Sequence, residues 1–352
     1  MLWNWKESKY LIAYLVPLAG FTGLYFGGWA SLGTVYIGFV LIPLLEQWIP
    51  MDTSNFDERQ EAERKRSRFF DWLLYLNLPF LYLLIIYYFI RIQAGGLTNF
   101  EVVGMTLNVG LAVGTIGINV AHELGHRSTW HEQLMSKTLL LTALYMHFFI
   151  EHNRGHHKNV ATDEDPASAR FGETLYAFWW RSVTGSYQSA WALEAERLKR
   201  AGKANLSLDN QMLIFQLIQV AYLVTIGLIF SWAMVPYAIA IAISGFLLLE
   251  TVNYIEHYGL RRKKLPSGRY ELVREYHSWN SDHELGRIFL YELTRHSDHH
   301  YKANRKYQVL RHFDESPQLP YGYPASMLLS LVPPLWFSKM NKRVRDYQAV
   351  MA

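Results

Sequence analysis

Six long apolar runs leave this 352-residue chain few ways to fold. They fall at roughly 10–28, 31–49, 71–92, 100–121, 212–232 and 234–256, each near the ~20 residues a helix needs to cross a bilayer. Lipid offers the backbone no hydrogen-bonding partners, so each run is read as a transmembrane helix. Charged residues make up only 18% of the chain, against about 25% in soluble domains. The first run follows Lys6 and Lys9, is long and lacks a small-residue cleavage site, which argues against a signal peptide.

Charge placement orients these spans. With the N-terminus in the cytoplasm, the outer connections lie near 28–30, 93–99 and 232–236, and none contains Lys or Arg. Of 34 basic residues, only Arg91 falls toward that side, the asymmetry of the positive-inside rule. A soluble helical protein does not account for so lopsided a map. Residues 51–70 are then a charged cytoplasmic connector, expected as a solvated interfacial helix. Residues 122–210 form a cytoplasmic insert and 258–352 a cytoplasmic tail. Pro317, Pro320, Pro324, Pro333 and Pro334 argue against long helices near the end of that tail. The apolar stretch 134–150 is expected to be a re-entrant or buried helix, because a crossing there would leave the first two histidine runs on opposite faces. The fold expected is an all-α integral membrane protein of one domain, residues 1–352, with six transmembrane helices and a cytoplasmic helical cap.

Nine of the 14 histidines sit in four short runs: His122/His126, His152/His156/His157, His257, and His296/His299/His300. The i,i+4 pairs share a helix face. A helix rising ~1.5 Å per residue from Glu101 covers ~30 Å before His122, which puts that pair at the cytoplasmic rim. His257 ends the sixth span at the same level. One ion takes at most six ligands, so nine imidazoles are too many for one metal and suit two. Imidazole serves iron, copper, zinc or nickel, and the metal stays open on this ground. His131, His147, His277, His283 and His312 are read as ordinary core or surface histidines. The absence of cysteine excludes disulfides, iron–sulfur clusters and thiolate zinc sites. No dinucleotide fingerprint is present; Gly110, Gly114 and Gly117 have the wrong spacing and suit close helix packing.

A polar stripe, Asn108, Thr115, Asn119, His122 and His126, follows one face of the fourth span. Interhelical hydrogen bonding explains it most simply; the alternative is the wall of a passage to the metals. Glu250, seven residues before His257, points the same way and suggests support of the site or proton delivery. Three chemistries compete. His122-Glu123-Leu-Gly-His126 matches a zinc hydrolase signature with Glu123 as base, but such a site leaves seven histidines unexplained. A metal transporter would place its ligands near the midplane rather than the rim. Dioxygen activation by two irons uses all nine, and apolar walls would keep water from the oxidant.

The four runs resemble those of the membrane alkane monooxygenases (alkane hydroxylases). The likeness is carried by Asn119-Val-Ala-His-Glu-Leu-Gly-His126, Glu151-His-Asn-Arg-Gly-His-His-Lys-Asn-Val-Ala-Thr162, Asn253-Tyr-Ile-Glu-His-Tyr-Gly-Leu260 and Leu293-Thr-Arg-His-Ser-Asp-His-His300. It extends through Asp165-Pro-Ala, His277-Ser-Trp-Asn-Ser281 and Gly322-Tyr-Pro324. Related desaturases and xylene-type monooxygenases share the general pattern, but the Asn-Tyr-Ile-Glu-His-Tyr-Gly run favours the alkane enzymes. The resemblance implies a non-haem centre of two iron ions held by the nine histidines. It also implies terminal hydroxylation of medium-chain n-alkanes with dioxygen, in the bacterial inner membrane, with electrons from rubredoxin and its reductase. No nucleic acid partner is expected. On this view Asn119, Asn153, Asp163, Asp165, Glu256 and Asp298 orient the imidazoles through their other nitrogen. Gly38, Thr115, Asn119 and Glu250 flank the substrate passage. Arg261, Arg262, Lys263, Lys264, Lys302, Arg305 and Lys306 dock the acidic electron donor.

Overall fold

In a computed structural model describing residues 5–351, the chain is helical, and β pairing among the described residues is confined to isolated bridges. Six helices are long and apolar enough to cross a membrane: Glu7–Phe26, Gly28–Leu45, Arg68–Ala94, Asn99–Gly125, Gln211–Ile229 and Trp232–His257. They match the six expected runs to within a few residues. Local chemistry sets their ends. Gly27 (φ +62°) and Gly95 (φ +72°) close the first and third spans in the left-handed region that a side chain disfavours. Thr98 and Glu101 form a reciprocal capping box at the start of the fourth span. Asn210 caps the fifth, where its side chain accepts from Leu213 N–H.

The fourth span is the most buried of the six, the second and fifth the least. Its contacts with the sixth are glycine contacts. A Cβ added to Gly245 would lie 2.5 Å from Val113 Cγ1, and one on Gly114 2.6 Å from Leu248 Cδ2. Bare backbone therefore lets these two helices touch, as the sequence suggested for Gly110 and Gly114. Asn108 ties the fourth span to the first two: its side chain donates to Gly20 O at 3.1 Å and accepts from Thr34 N–H at 2.9 Å. That member of the polar stripe is an interhelical bond. Two spans carry a widened π turn, Ile37–Leu41 in the second and Val113–Ile118 in the fourth.

Everything between the spans except three short turns gathers at one end of the bundle. Helix Trp130–Thr142 folds back along the fourth span, with Ser136 Oγ donating to Ala121 O at 2.6 Å. The 134–150 stretch is not among the six candidate spans, and the histidines before and after it meet in one cluster, so it returns to the end it left. Two expectations need correction. The connector 51–70 is not simply solvated: within helix Glu58–Arg66, Arg64 pairs with Glu7 at 3.0 Å and lies over Phe56 and Phe70. The tail also ends in a 19-residue helix, Pro333–Met351, despite its prolines. Pro333 and Pro334 occupy the first turn, where a missing N–H costs nothing.

Candidate metal centre

His122 rides on the last turns of the fourth span and His257 ends the sixth, so the glycine seam sets their separation. His126 follows the fourth span by one residue. His152, His156 and His157 come from the helical stretch 148–159, whose middle, His152–His156, is a π turn. The widened turn brings His152, His156 and His157 inward together. His296, His299 and His300 lie on the short buried helix His296–Tyr301. Six residues cannot hold a helix in place alone. Buried Arg295 does so, donating to Leu310 O at 2.7 Å and to Asp52 O and Ser54 O at 3.0 Å. Ser297 adds bonds to Asn280 Oδ1 and Ser278 O. Just before it, Tyr291 (φ 51°) and Glu292 (φ 60°) are left-handed. Glu292, bonded to Tyr10 and Arg287, holds that costly turn.

The nine histidines gather into two clusters. One holds His122, His126, His152, His157 and His299; the other His156, His257, His296 and His300. Within each, all ligand nitrogens lie within 4.8 Å of one another. In the first, Nε2 of His126, His152 and His157 form a triangle with sides of 3.0 to 3.2 Å, and His299 Nε2 lies 2.9 Å from His122 and 3.2 Å from His157. In the second, His156–His300 and His296–His257 are each 3.2 Å apart. Two nitrogens bound at right angles to one ion at about 2.1 Å stand about 3.0 Å apart. Three nitrogens aimed at one point cannot all be satisfied by protons between them; a cation satisfies them together. Burial and crowding by neighbouring imidazoles push His152, His157, His296, His299 and His300 well below their usual range. Burial above all takes His126 down to about 3. Neutral rings keep their lone pairs, as metal binding requires.

Asp165 accepts from His156 Nδ1–H at 2.9 Å and from Ser168 Oγ at 2.5 Å. Burial alone would lower His156 and raise Asp165; their mutual attraction prevails, holding the imidazole above and the carboxyl below its usual range. The proton sits on Nδ1, leaving Nε2 to the cluster. Glu256 accepts from Tyr323 OH at 2.8 Å and stands 3.2 Å from His296 Nε2, the cluster-facing nitrogen. Glu256 therefore meets the metal-side nitrogen rather than the far one expected, and the remaining residues expected to orient imidazoles point elsewhere. Asp163 is 78% exposed and pairs with Arg261 at 3.4 Å. Asn153 donates to Phe149 O, and Asn119 to Leu290 O. Asp298 accepts from Arg311 N–H and pairs with Arg305, fixing the helix rather than a ring. Sequence reasoning missed Ser278, whose Oγ lies 3.5 Å from His257 Nδ1; its place beside His277 in a stretch shared with the resembled family was the available signal. The five histidines set aside as ordinary stay out of both clusters.

An almost wholly apolar cavity of about 980 Å³, its mouth included, opens onto both clusters. Val16, Ile37, Gly38 and Leu111 line its far end, and His122, His152 and His296 its inner end. Thr115 and Asn119 also line it, so the lower portion of the polar stripe faces this cavity. Glu250 is absent from this lining and sits behind it. The two π turns place Gly38, Phe39, Gly114 and Thr115 on its wall.

Several expected docking cations are engaged internally. Arg305 pairs with Asp298 at 3.3 Å, Lys306 with Asp71 at 3.0 Å, and Arg262 donates to Glu271 O and Lys158 O. Arg261 binds Ala169 O, Leu260 O and Asp163. Lys264 and Lys302 extend past the rings of Tyr270 and Tyr301, and Lys263 donates its backbone N–H to Glu271.

Six apolar helices and two histidine clusters at one end define a multi-pass membrane protein with a metal-binding centre. The fatty acid desaturase family model matches residues 100–328. Alkane 1-monooxygenase 2 of Pseudomonas aeruginosa is 38% identical over 365 residues, covering 99% of this chain and 95% of that protein. Alkane 1-monooxygenase of Acinetobacter baylyi is 39% identical, covering 90% and 78%. The hydroxylase component of a Pseudomonas putida xylene/toluene monooxygenase is 30% identical, covering 96% and 89%. The chain belongs to the alkane 1-monooxygenase family.

Proposed function

We propose that this protein hydroxylates the terminal carbon of medium-chain n-alkanes with dioxygen at two histidine-held irons. The observation that carries this reading is the apolar cavity ending on both clusters. Its walls offer a chain without polar handles only shape and burial, so selection of the terminal carbon is by position. The five- and four-histidine clusters would each hold one iron, and iron supplies the electron transfer and dioxygen activation that zinc cannot. The protein's own role is to bind and to exclude. Ile37, Leu111 and Leu249 hold the extended chain, and Phe148, Phe289 and Leu293 keep water from its end. Asp165 fixes the His156 tautomer.

Membership of the alkane 1-monooxygenase family supports rubredoxin as the electron donor, with its reductase upstream. The charge map supports a cytoplasmic site in the bacterial inner membrane, with Lys264 and Lys302 as the residues we assign to donor docking. The spans and the cytoplasmic layer act as a single domain. The hydrolase reading loses its base: Glu123 accepts from Arg127 at 2.7 and 3.0 Å and from Tyr307 N–H.

Purified protein analysed for metal and supplied with octane or dodecane, rubredoxin, reductase and NADH tests the proposal. Two irons and a 1-alkanol are expected. A single zinc with peptide cleavage, or desaturated acyl chains, would overturn it.

A further inference from the structure

Hydroxylation consumes protons as well as electrons: R–H + O2 + 2 H⁺ + 2 e⁻ gives R–OH + H2O. The C–H bond gives way to C–O, and the second oxygen atom leaves as water with both protons. The apolar cavity offers those protons no route. A second space lies behind Glu250. This cleft of about 740 Å³, mouth included, sets the polar groups of Tyr145, His147, Gln216 and Gln219 among apolar Leu144 and Phe246. His147 Nε2 and Gln216 Nε2 are buried without a protein partner. Buried polar atoms are normally satisfied, and water in the adjoining space would satisfy these two. Burial takes His147 down to about 3, so its ring is neutral.

Glu250 lies behind Tyr145, one side chain from this cleft. It is 1% exposed. Tyr145 OH donates to its Oε1 at 2.9 Å; Ser182 Oγ and Asn253 Nδ2 donate to its Oε2 at 2.5 and 3.4 Å. Its partners are thus two hydroxyls and an amide. Tyr145 lines the cleft and Asn253 lines the apolar cavity beside Glu256 and His296. Glu250 is one side chain from each space.

We propose that the cleft is a water-filled proton inlet and that Glu250 carries protons from it to the cavity. This rests on the reading of the protein as a dioxygen-consuming hydroxylase. A proton arriving on cleft water passes through the Tyr145 hydroxyl to Glu250 Oε1. The carboxyl gives up a proton from Oε2 toward the reacting end of the cavity and is recharged from the cleft, with no net change. Asn253 positions the Oε2 edge.

The test uses iron-loaded enzyme with alkane and electron donor. Glu250→Gln should lower turnover about 10²-fold, divert electrons to hydrogen peroxide and change the solvent deuterium isotope effect, at unchanged iron content. Glu250→Asp should recover some of the loss. A readout independent of turnover is the carboxyl infrared band of the resting, iron-loaded protein, which should be missing in Glu250→Gln and should exchange in D2O more slowly in Gln219→Leu. Coupled, wild-type turnover by fully iron-loaded Glu250→Gln would overturn the proposal. If that variant fails to fold, unchanged exchange in Gln219→Leu overturns it instead. Wild-type enzyme yielding no alcohol would sink the functional reading, while the exchange data would still judge the inlet.

Discussion

Replacing Asp165 by Asn should empty one metal position and leave the other filled. The carboxylate accepts from His156 Nδ1–H, Ser168 Oγ and Ala167 N–H. An asparagine of the same shape keeps one oxygen, enough for Ala167. Its NH2 group then faces the His156 N–H, donor against donor. The ring escapes that clash by moving its proton to Nε2, the nitrogen 3.2 Å from His300 Nε2. A protonated Nε2 has no lone pair for a metal. Loss of such a supporting carboxylate typically weakens metal binding 10–100-fold, or about 1.4–2.8 kcal/mol. Only His156 is affected, and it belongs to the four-histidine cluster, so the five-histidine cluster should bind as before. Cobalt(II) titration against a competing chelator, followed by absorbance and metal analysis, resolves the two positions. Equal weakening of both sites, or none, would refute the argument that this carboxylate acts through the tautomer of one ring.

Gly38 faces open space on the cavity wall, with nothing within 4 Å of an added Cβ. Gly38→Leu should fold normally and shift product in an octane–dodecane competition toward the shorter alcohol; an unchanged ratio would remove Gly38 from the passage. Burial pushes Glu46 up to about 7 from 4.5, despite a bond from Gly286 N–H. The folded state therefore holds that proton to higher pH than the unfolded chain, and stability falls as pH climbs from 4.5 through 7. Glu46→Gln should flatten this slope in melting experiments and gain about 3 kcal/mol above pH 8, since each tenfold change in proton affinity is worth about 1.4 kcal/mol. Charge reversal of Lys264 and Lys302 should raise the KM for rubredoxin and flatten its salt dependence, with kcat unchanged at saturating donor. A KM at wild-type level would place the donor elsewhere.

The spans and the histidine pairs were legible because each is a local pattern: a run of apolar residues, or two rings four apart on a helix. What joins them was not. Asp163 and Asp165 stand two residues apart in one polar run, and nothing in the run says which turns inward. The choice is made by Ala161, which is left-handed (φ 58°) and donates its N–H to Ser168. The frame around Arg295 draws on residues near 52 and 310, more than 240 positions apart, which no periodicity records. The basic runs of the tail read as a docking surface because pairing partners such as Asp71 for Lys306 are distant in sequence. Asn108 and Thr115 share a stripe, yet one meets a neighbouring helix and the other a cavity. That division depends on where the second span leans against the fourth.

The bare-backbone seam between the fourth and sixth spans has a consequence for how such a chain can diversify. Any methyl group added at Gly114 or Gly245 would pry apart the two helices that carry His122 and His257. Gly38 itself, on the second span, meets nothing within 4 Å of an added Cβ. Selectivity can therefore drift on one side of the molecule while the catalytic end stays fixed on the other. Libraries aimed at new chain lengths should mutate the outer wall and leave the hinge of glycines untouched.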